Sequence, residues 1–345
     1  MALIRLVGGT CLLLGAVAFG YGEGRRAAPP ADEHMAHMMA ADLAAPSAPS
    51  AHAPQGDLRL PASNNDAKAR LAASPRHAEW VKIAYEPGSK DSLMAWVVYP
   101  STNRAKSPVV VVVHEIFGLS TWVRGVADQV AAEGFIAIAP DLESKVRGGP
   151  SADELPSDSA VKIIRGVSFA ERNMGIAASA SYAMGLPSAD HKYAVIGYCW
   201  GGSTVWGHAI NGGVTGFSGG VAFYGTPYAT GGGRDGAPVV LSVDSLKKIT
   251  KPVMLLSGSQ DQRIGALMPA IDSAMKALRK DYYGQNYQDA IHGFLRAQGD
   301  SAFARDSTAP DGRRLNTVAM AGNTQATKDA WPRTVAFLKK NLGVK

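Results

Sequence analysis

The chain has 345 residues, of which 46% are hydrophobic and 19% are charged. A chain of this length and apolar content can bury a sizeable core, which excludes a wholly disordered protein. The formal net charge of +6 comes from 35 basic residues scattered among 29 acidic ones, without a long basic run. This pattern argues against nucleic-acid binding, whereas the excess of positive charge suits an anionic substrate or surface.

An N-terminal stretch, residues 1–22, has the parts of a secretory signal peptide. One basic residue, Arg5, is followed by an apolar run and then by small residues that suit a signal peptidase. The apolar run is short for a helix that crosses a bilayer, and an uncleaved N-terminal anchor is the alternative. We therefore expect a periplasmic or secreted protein that contacts a membrane only if this segment is retained.

Residues 23–77 are rich in Ala, Pro, Ser and His and show no lasting apolar periodicity. This composition predicts a disordered tether, with order beginning near Ala78. One short group in the tether has the soft side chains that bind copper ions. Its members are His34, Met35, His37, Met38 and Met39. Because the group does not repeat, a flexible linker with incidental His and Met is the favoured interpretation.

Beyond the tether, strand-like and helical patterns alternate. The runs VKIAYEP and SLMAWVVYP are separated as in a hairpin, and PVVVVVHE has five consecutive valines, as in a strand covered on both faces. Further strands are predicted at FIAIAPD, KYAVIG, GGVAFYG, KPVMLLSG and KDYYGQNYQD, and helices near 121–134, 157–184, 265–280 and 325–341. This alternation predicts an α/β fold in one domain, with a mostly parallel central sheet and helices on both faces.

The strand KYAVIG leads directly into the sequence GYCWG around Cys199. This G-x-C-x-G arrangement has the form of a nucleophile elbow, whose strained turn needs small residues at the positions of Gly197 and Gly201. The helix that follows would favour a thiolate or an oxyanion at its N-terminus. A buried cysteine in an ordinary glycine turn is the alternative. The other cysteine, Cys11, lies in the predicted signal segment, so export would leave Cys199 as the only thiol.

In the fold that carries this elbow, the acid and the histidine follow the nucleophile in that order, on loops after late strands. Asp261 directly follows KPVMLLSG, and His292 follows KDYYGQNYQD. A thiol needs a base, and an imidazole needs a carboxylate that fixes its tautomer, which predicts a triad of Cys199, His292 and Asp261. Taken alone, Asp261 could be a helix N-cap and His292 an ordinary loop residue. His191 and His208 are weaker candidates for the base.

The loop HEIFGLS, His114 to Ser120, follows the valine-rich strand, where this fold supplies one backbone N–H of the oxyanion hole. We expect the N–H groups of Ile116 and Trp200 to hold the developing oxyanion. Glu115 places a carboxylate at the mouth of the same site. Its position alone would favour a surface ion pair.

Five segments occur together in one order: HEIFGL, FIAIAPDL, GYCWGG, SGSQD and HGF. In these segments, the chain resembles the dienelactone hydrolase family of the α/β-hydrolase fold, whose members are also called carboxymethylenebutenolidases. The resemblance implies an α/β-hydrolase domain over residues 78–345. It also implies that Cys199 is the nucleophile and that Asp261 and His292 complete the triad.

The same resemblance assigns roles to charged residues around the triad. Glu115 occupies the position of the glutamate that is implied to take the thiol proton when substrate binds. Arg296, four residues after the histidine, is implied to bind a substrate carboxylate. A second substrate-binding arginine is implied between the HE loop and the elbow, and both Arg165 and Arg172 are candidates for it.

These observations together predict a hydrolase of ester or lactone bonds with a Cys-His-Asp triad. The expected substrates are small carboxylated lactones or enol esters, the triad needs no metal or organic cofactor, and a monomer is expected. Two irregular segments, 226–245 and 297–323, depart from the family pattern and could reshape the pocket. The alternatives are a non-catalytic binding module of the same fold and a copper-handling protein that uses the tether.

Overall fold

The computed structural model describes residues 56–102, 104–151, 157–230, 240–300 and 315–344. The predicted signal segment and the His- and Met-rich group of the tether lie outside these residues. Among the helices of the described part, none is both long enough and apolar enough to cross a bilayer.

In the described residues, eight strands form one central sheet and two more form a separate pair. The strands are β1 (Ala78–Ala84), β2 (Ser92–Val98), β3 (Ser107–Val113), β4 (Ile136–Asp141), β5 (Ala189–Tyr198), β6 (Phe217–Phe223), β7 (Ala229–Thr230), β8 (Val240–Leu241), β9 (Val253–Gly258) and β10 (Tyr282–Tyr287). The central order is β1-β2-β4-β3-β5-β6-β9-β10. The predicted hairpin is confirmed, because β1 pairs antiparallel with β2. In the central sheet β2 also pairs antiparallel with β4, and the other pairs are parallel.

Helices cover both faces of this sheet. The helices are α1 (Ala67–Ala72), α2 (Thr121–Ala132), α3 (Ser144–Arg147), α4 (Ser157–Ile164), α5 (Phe169–Met184), α6 (Trp200–Ile210), α7 (Val243–Lys247), α8 (Gln262–Ala277), α9 (Phe294–Ala297) and α10 (Leu315–Leu342). Two adjacent glycines of β6 show on which face two of these helices pack. A Cβ added to Gly219 would meet Phe337 of α10, and a Cβ added to Gly220 would meet Val205 of α6. Because neighbouring strand residues point to opposite faces, α6 and α10 lie on opposite faces, as predicted.

The valine-rich strand is the centre of the core. Every residue of β3 is buried, and it lies between β4 and β5 with parallel pairing on both edges. The β-branched side chains therefore contact helices on both faces, which explains the absence of an alternating polar pattern. The carboxyl ends of the parallel strands meet at one edge of the sheet.

The prediction of one helix over 157–184 was wrong. The structure has two helices there, α4 and α5. Ser168 begins the second as its N-cap: its hydroxyl accepts from the Glu171 N–H, and the Glu171 carboxylate accepts from the Ser168 N–H. This capping box stabilises a new helix start inside a stretch whose composition is helical throughout.

Residues 56–77 correct the predicted extent of the tether, because they fold onto the domain. Leu60 and Ala62 are buried, and the Trp122 indole donates a hydrogen bond of 3.0 Å to the Ala62 carbonyl. The guanidinium of Arg76 forms an ion pair with Asp128 of α2. These contacts join residues that are far apart along the chain, so a composition rich in Ala, Pro and Ser did not indicate them.

The close contact between α6 and the end of β3 can be tested by its effect on the free energy of unfolding. A Cβ on Gly201 would lie 2.5 Å from the carbonyl oxygens of Val113 and His114, whereas a Cβ on Gly207 of the same helix would come no closer than 3.6 Å to the Phe169 ring. Gly201→Ala should therefore lower the free energy of unfolding by about 2 kcal/mol or more. Gly207→Ala should raise it by up to about 1 kcal/mol, because alanine is the better helix former. Urea denaturation measures both, and equal effects of the two variants would contradict the close approach.

Candidate active site

Cys199 lies at the turn between β5 and α6, with its backbone at φ 55°. A positive φ is strained for a residue with a Cβ and persists only where the surroundings impose it. The Cys199 N–H donates to the Phe223 carbonyl of the neighbouring strand at 3.0 Å. A Cβ on Gly197 would lie 2.3 Å from the Gly201 carbonyl oxygen, so glycine is required there. The predicted elbow geometry is therefore present, with the thiol largely buried and outside any disulfide.

His292 and Asp261 meet at the same edge of the sheet. Asp261 follows β9 and His292 follows β10, and these strands are parallel neighbours. His292 Nδ1 lies 2.5 Å from Asp261 Oδ2, and both side chains are buried. The other carboxylate oxygen of Asp261 accepts from the Ile264 N–H at 3.2 Å. Asp261 is thus both the N-cap of α8 and the partner of the imidazole.

The charge of His292 follows from its two partners. Burial disfavours the imidazolium, but the charges of Asp261 and of a Cys199 thiolate, together with hydrogen bonds to both, raise the pKa of His292 to about 10. Since Nδ1 contacts Asp261, Nε2 is the nitrogen that is left to serve Cys199. The arrangement can hold a proton on the imidazole beside the thiol at neutral pH.

The loop after β3 is held in place by His114. The Leu142 N–H donates to His114 Nε2 at 3.1 Å, so the proton sits on Nδ1, which donates to the Glu115 carbonyl at 2.7 Å. Burial lowers the pKa of His114, which keeps the ring neutral. The ring also stacks on Trp200 with 5.6 Å between centroids. Since α6 begins at Trp200, the N–H of this residue lacks an intrahelical acceptor.

Glu115 and Arg296 form a buried ion pair. Arg296 Nη1 donates to Glu115 Oε2 at 3.2 Å, and both side chains are at most 6% exposed. The Phe117 ring lies 5.1 Å from the guanidinium carbon. The sequence position of Glu115 alone favoured a surface ion pair; the pair exists, but it lies in the interior beside the predicted triad.

Two tyrosines that the sequence analysis did not single out also lie in the site. The Tyr224 ring is 4.8 Å from the His292 ring, and the backbone of Tyr224 has φ 38°. Burial, and then the negative charge of Glu115, raise the pKa of the Tyr224 hydroxyl well above its usual value, and the same two causes act on Tyr198. Tyr224 directly follows β6, so its place at the carboxyl end of a central strand was the signal that could have identified it.

The structure distinguishes the two candidate arginines and shows where the two weaker candidate histidines lie. The Arg172 guanidinium lies 4.2 Å from the Trp200 ring centroid, whereas Arg165 is exposed. Burial lowers the pKa of Arg172 to about 10. His208 is tied to Tyr193 and Asn173 away from the triad, and His191 is exposed.

A buried network of polar side chains also holds the loop that carries Glu115. Arg147 donates to both oxygens of Asp141 and, at 3.1 Å, to Glu143. It also donates to the Ser151 hydroxyl, which accepts from the Leu119 N–H at 3.1 Å. Burial raises the pKa of Glu143 to about 8, although Arg147 opposes this. The segment after β4 thereby fixes the end of the loop that carries Glu115.

Comparison with known proteins identifies the family of the chain. The model described as "Dienelactone hydrolase family" matches residues 93–342, more than half of the chain. The chain belongs to the dienelactone hydrolase family. Membership makes it a hydrolase of the lactone and ester type, and the predicted α/β-hydrolase fold is confirmed.

Relatives and solved structures add detail. A carboxymethylenebutenolidase of Pseudomonas sp. strain P51 is 28% identical over 221 residues, which is 62% of this chain and 85% of the relative. That of Pseudomonas putida is 24% identical over 229 residues, covering 64% and 88%. A dienelactone hydrolase-like promiscuous phosphotriesterase from metagenomic libraries shares the fold with a TM-score of 0.55 at 20% identity, covering 76% of this chain and 98% of that one.

The raised pKa of His292 can be measured directly. A ¹³C-histidine NMR titration should give one imidazole with a midpoint near 10 among the eight histidines. Asp261→Asn should lower this midpoint, because the charge that favours the imidazolium is lost and the burial is retained. Asp289→Asn, the same change on the loop that carries His292, should leave it in place.

The same titration has a consequence for stability. The pKa of His292 is about 10 in the folded protein and about 6.5 in the unfolded chain. The pair of His292 and Asp261 therefore contributes its full stabilisation of the folded state below about pH 6.5. This contribution is lost as the pH rises through about 10. A wild-type midpoint near the unfolded value would contradict the proposed charge state.

Proposed function

We propose that this member of the dienelactone hydrolase family hydrolyses carboxylated lactones or enol esters with Cys199 as the nucleophile. The observation that carries the proposal is the buried contact of 2.5 Å between His292 and Asp261 beside the strained turn of Cys199. An imidazole oriented by a carboxylate and adjacent to a thiol is the arrangement that nucleophilic acyl transfer requires.

The proposed reaction begins with loss of the thiol proton. Glu115 is paired with Arg296 in the structure, at 3.2 Å. A substrate carboxylate competes for Arg296, and the released Glu115 carboxylate takes the proton from Cys199. The resulting thiolate lies beside the imidazolium of His292, whose raised pKa supports this ion pair.

The thiolate then attacks the carbonyl carbon and forms a C–S bond. The oxygen gains the negative charge and accepts hydrogen bonds from the N–H groups of Ile116 and Trp200, each of which contributes about 3 kcal/mol in comparable enzymes. The C–O bond of the lactone or ester breaks, and the imidazolium of His292 donates its proton to the leaving oxygen. Water, deprotonated by His292, then attacks the thioester and its C–S bond breaks. The acid is released, and the Cys199 thiolate takes back the proton held by Glu115.

The chemistry of the thiol limits the substrate class. A thiolate is a better leaving group than an alkoxide, so the tetrahedral intermediate formed with an unactivated ester or amide tends to return to substrate. Lactones and enol esters have leaving groups that are good enough to prevent this return. Arg296, and Arg172 beside Trp200, supply positive charge near the thiol for a substrate carboxylate.

Neither alternative from the sequence is favoured. A non-catalytic binding module would not require His292, Asp261 and Glu115 to converge on Cys199, and the His- and Met-rich group lies outside the described residues. Export through residues 1–22 stays a prediction.

Replacement of the nucleophile tests the reaction type. Cys199→Ala should lower kcat/KM for p-nitrophenyl acetate and for carboxymethylenebutenolide by about a thousandfold or more, because no covalent intermediate can form. Far-ultraviolet circular dichroism and the Tm check that the variant is folded. Turnover of both substrates at the wild-type rate would overturn the proposal, whereas loss on the simple ester alone would overturn the substrate class.

Replacement of Arg296 tests the substrate charge. Arg296→Met should lower the ratio of kcat/KM for carboxymethylenebutenolide to that for its methyl ester by about tenfold or more, because a charge-assisted hydrogen bond is lost for one substrate only. Arg165→Met, at an exposed position, is the matched control and should leave the ratio unchanged. An unchanged ratio in Arg296→Met would contradict carboxylate recognition by this residue.

A further inference from the structure

The segment before α1 contacts Arg296 from outside the part of the chain that matches the family. We call residues 58–65 the N-terminal strap. The strap precedes residues 93–342, the part of the chain that matches the family. We propose that Asn64 of the strap is a positioning residue that orients Arg296 for the substrate carboxylate. This inference rests on the role proposed for Arg296.

Two hydrogen bonds join Asn64 to Arg296. The Asn64 N–H donates to the Arg296 carbonyl at 2.9 Å, and Arg296 Nε donates to Asn64 Oδ1 at 2.9 Å. The first bond fixes the backbones relative to each other, and the second acts on the side chain. Because a guanidinium is planar and its N–H groups have fixed directions, holding Nε also sets the direction of Nη1. In the structure, Nη1 reaches Glu115 Oε2 at 3.2 Å.

Hydrogen bonds hold the strap against the rest of the domain, so the strap can support the side chain of Arg296. The Pro61 carbonyl accepts from Gln298 Nε2 at 2.8 Å, and the Ala62 carbonyl accepts from the Trp122 indole at 3.0 Å. Next to Asn64, the Asn65 side chain donates to the Asp300 carboxylate. These contacts connect the strap both to α2 and to the segment that follows Arg296.

The amide is the suitable group for this task. It accepts a hydrogen bond from Nε without adding negative charge, so the guanidinium keeps its charge for Glu115 and for a substrate carboxylate. An aspartate at the same place would bring a second carboxylate to Arg296 and compete with the substrate. The chemistry therefore assigns Asn64 to selectivity for carboxylated substrates.

The test uses the full chain and two probes, carboxymethylenebutenolide and its methyl ester. Asn64→Ala should raise KM for the carboxylated probe by about tenfold and change KM for the methyl ester by less than about twofold. Asn64→Asp, which keeps the shape of the side chain, should raise KM for the carboxylated probe at least as much. Arg59→Ala changes an exposed residue of the strap, which pairs with Asp57, and should leave both KM values unchanged.

The outcomes separate this inference from the proposed function. Equal losses on both probes in Asn64→Ala and Asn64→Asp would show a merely structural role and overturn the inference. Unchanged KM values in both Asn64 variants, with a lowered selectivity ratio in Arg296→Met, would overturn the inference alone. An unchanged ratio in Arg296→Met would overturn the role of Arg296 and, with it, that of Asn64. If Asn64→Ala does not fold, the near-isosteric Asn64→Asp carries the test.

Discussion

The backbone conformation imposed on Cys199 is the constraint on which the rest of the site depends. A residue with a side chain is held at φ 55° because β5, β6 and α6 meet around it, and Gly197 and Gly201 allow this close approach. Such strain costs about 1–3 kcal/mol and is supported by the packing of the whole central sheet. This backbone conformation places the thiol at the carboxyl edge of the sheet and at the start of a helix. The HE loop and the late-strand loops reach the same point.

Around this thiol the protein buries two ion pairs, one between His292 and Asp261 and one between Arg296 and Glu115. Burial of charge is costly unless the groups are paired and hydrogen bonded. Here the partners have further contacts: Asp261 also caps α8, and Arg296 is held by Asn64 of the strap. The site is therefore maintained by hydrogen bonds from elements that take no part in bond breaking.

Much of the fold and of the site was predictable because the relevant signals are local. The glycine spacing around Cys199 indicates the elbow directly, and Asp261 and His292 each directly follow a predicted strand. The position of Asn64 was not predictable, since its partner Arg296 lies 232 residues away and the composition of the strap is that of a linker. Tyr224 was missed because a tyrosine after a buried strand is ordinary until its neighbours are known.

Identification of the covalent intermediate tests the role of Cys199 most directly. Samples quenched in acid during turnover of carboxymethylenebutenolide would be digested and analysed by mass spectrometry. The peptide containing Cys199 should gain the mass of one substrate molecule, because ring opening retains every substrate atom in the thioester. No such gain should occur in a sample quenched before substrate is added. An adduct on a different residue, with unmodified Cys199, would contradict the role of Cys199 as the nucleophile.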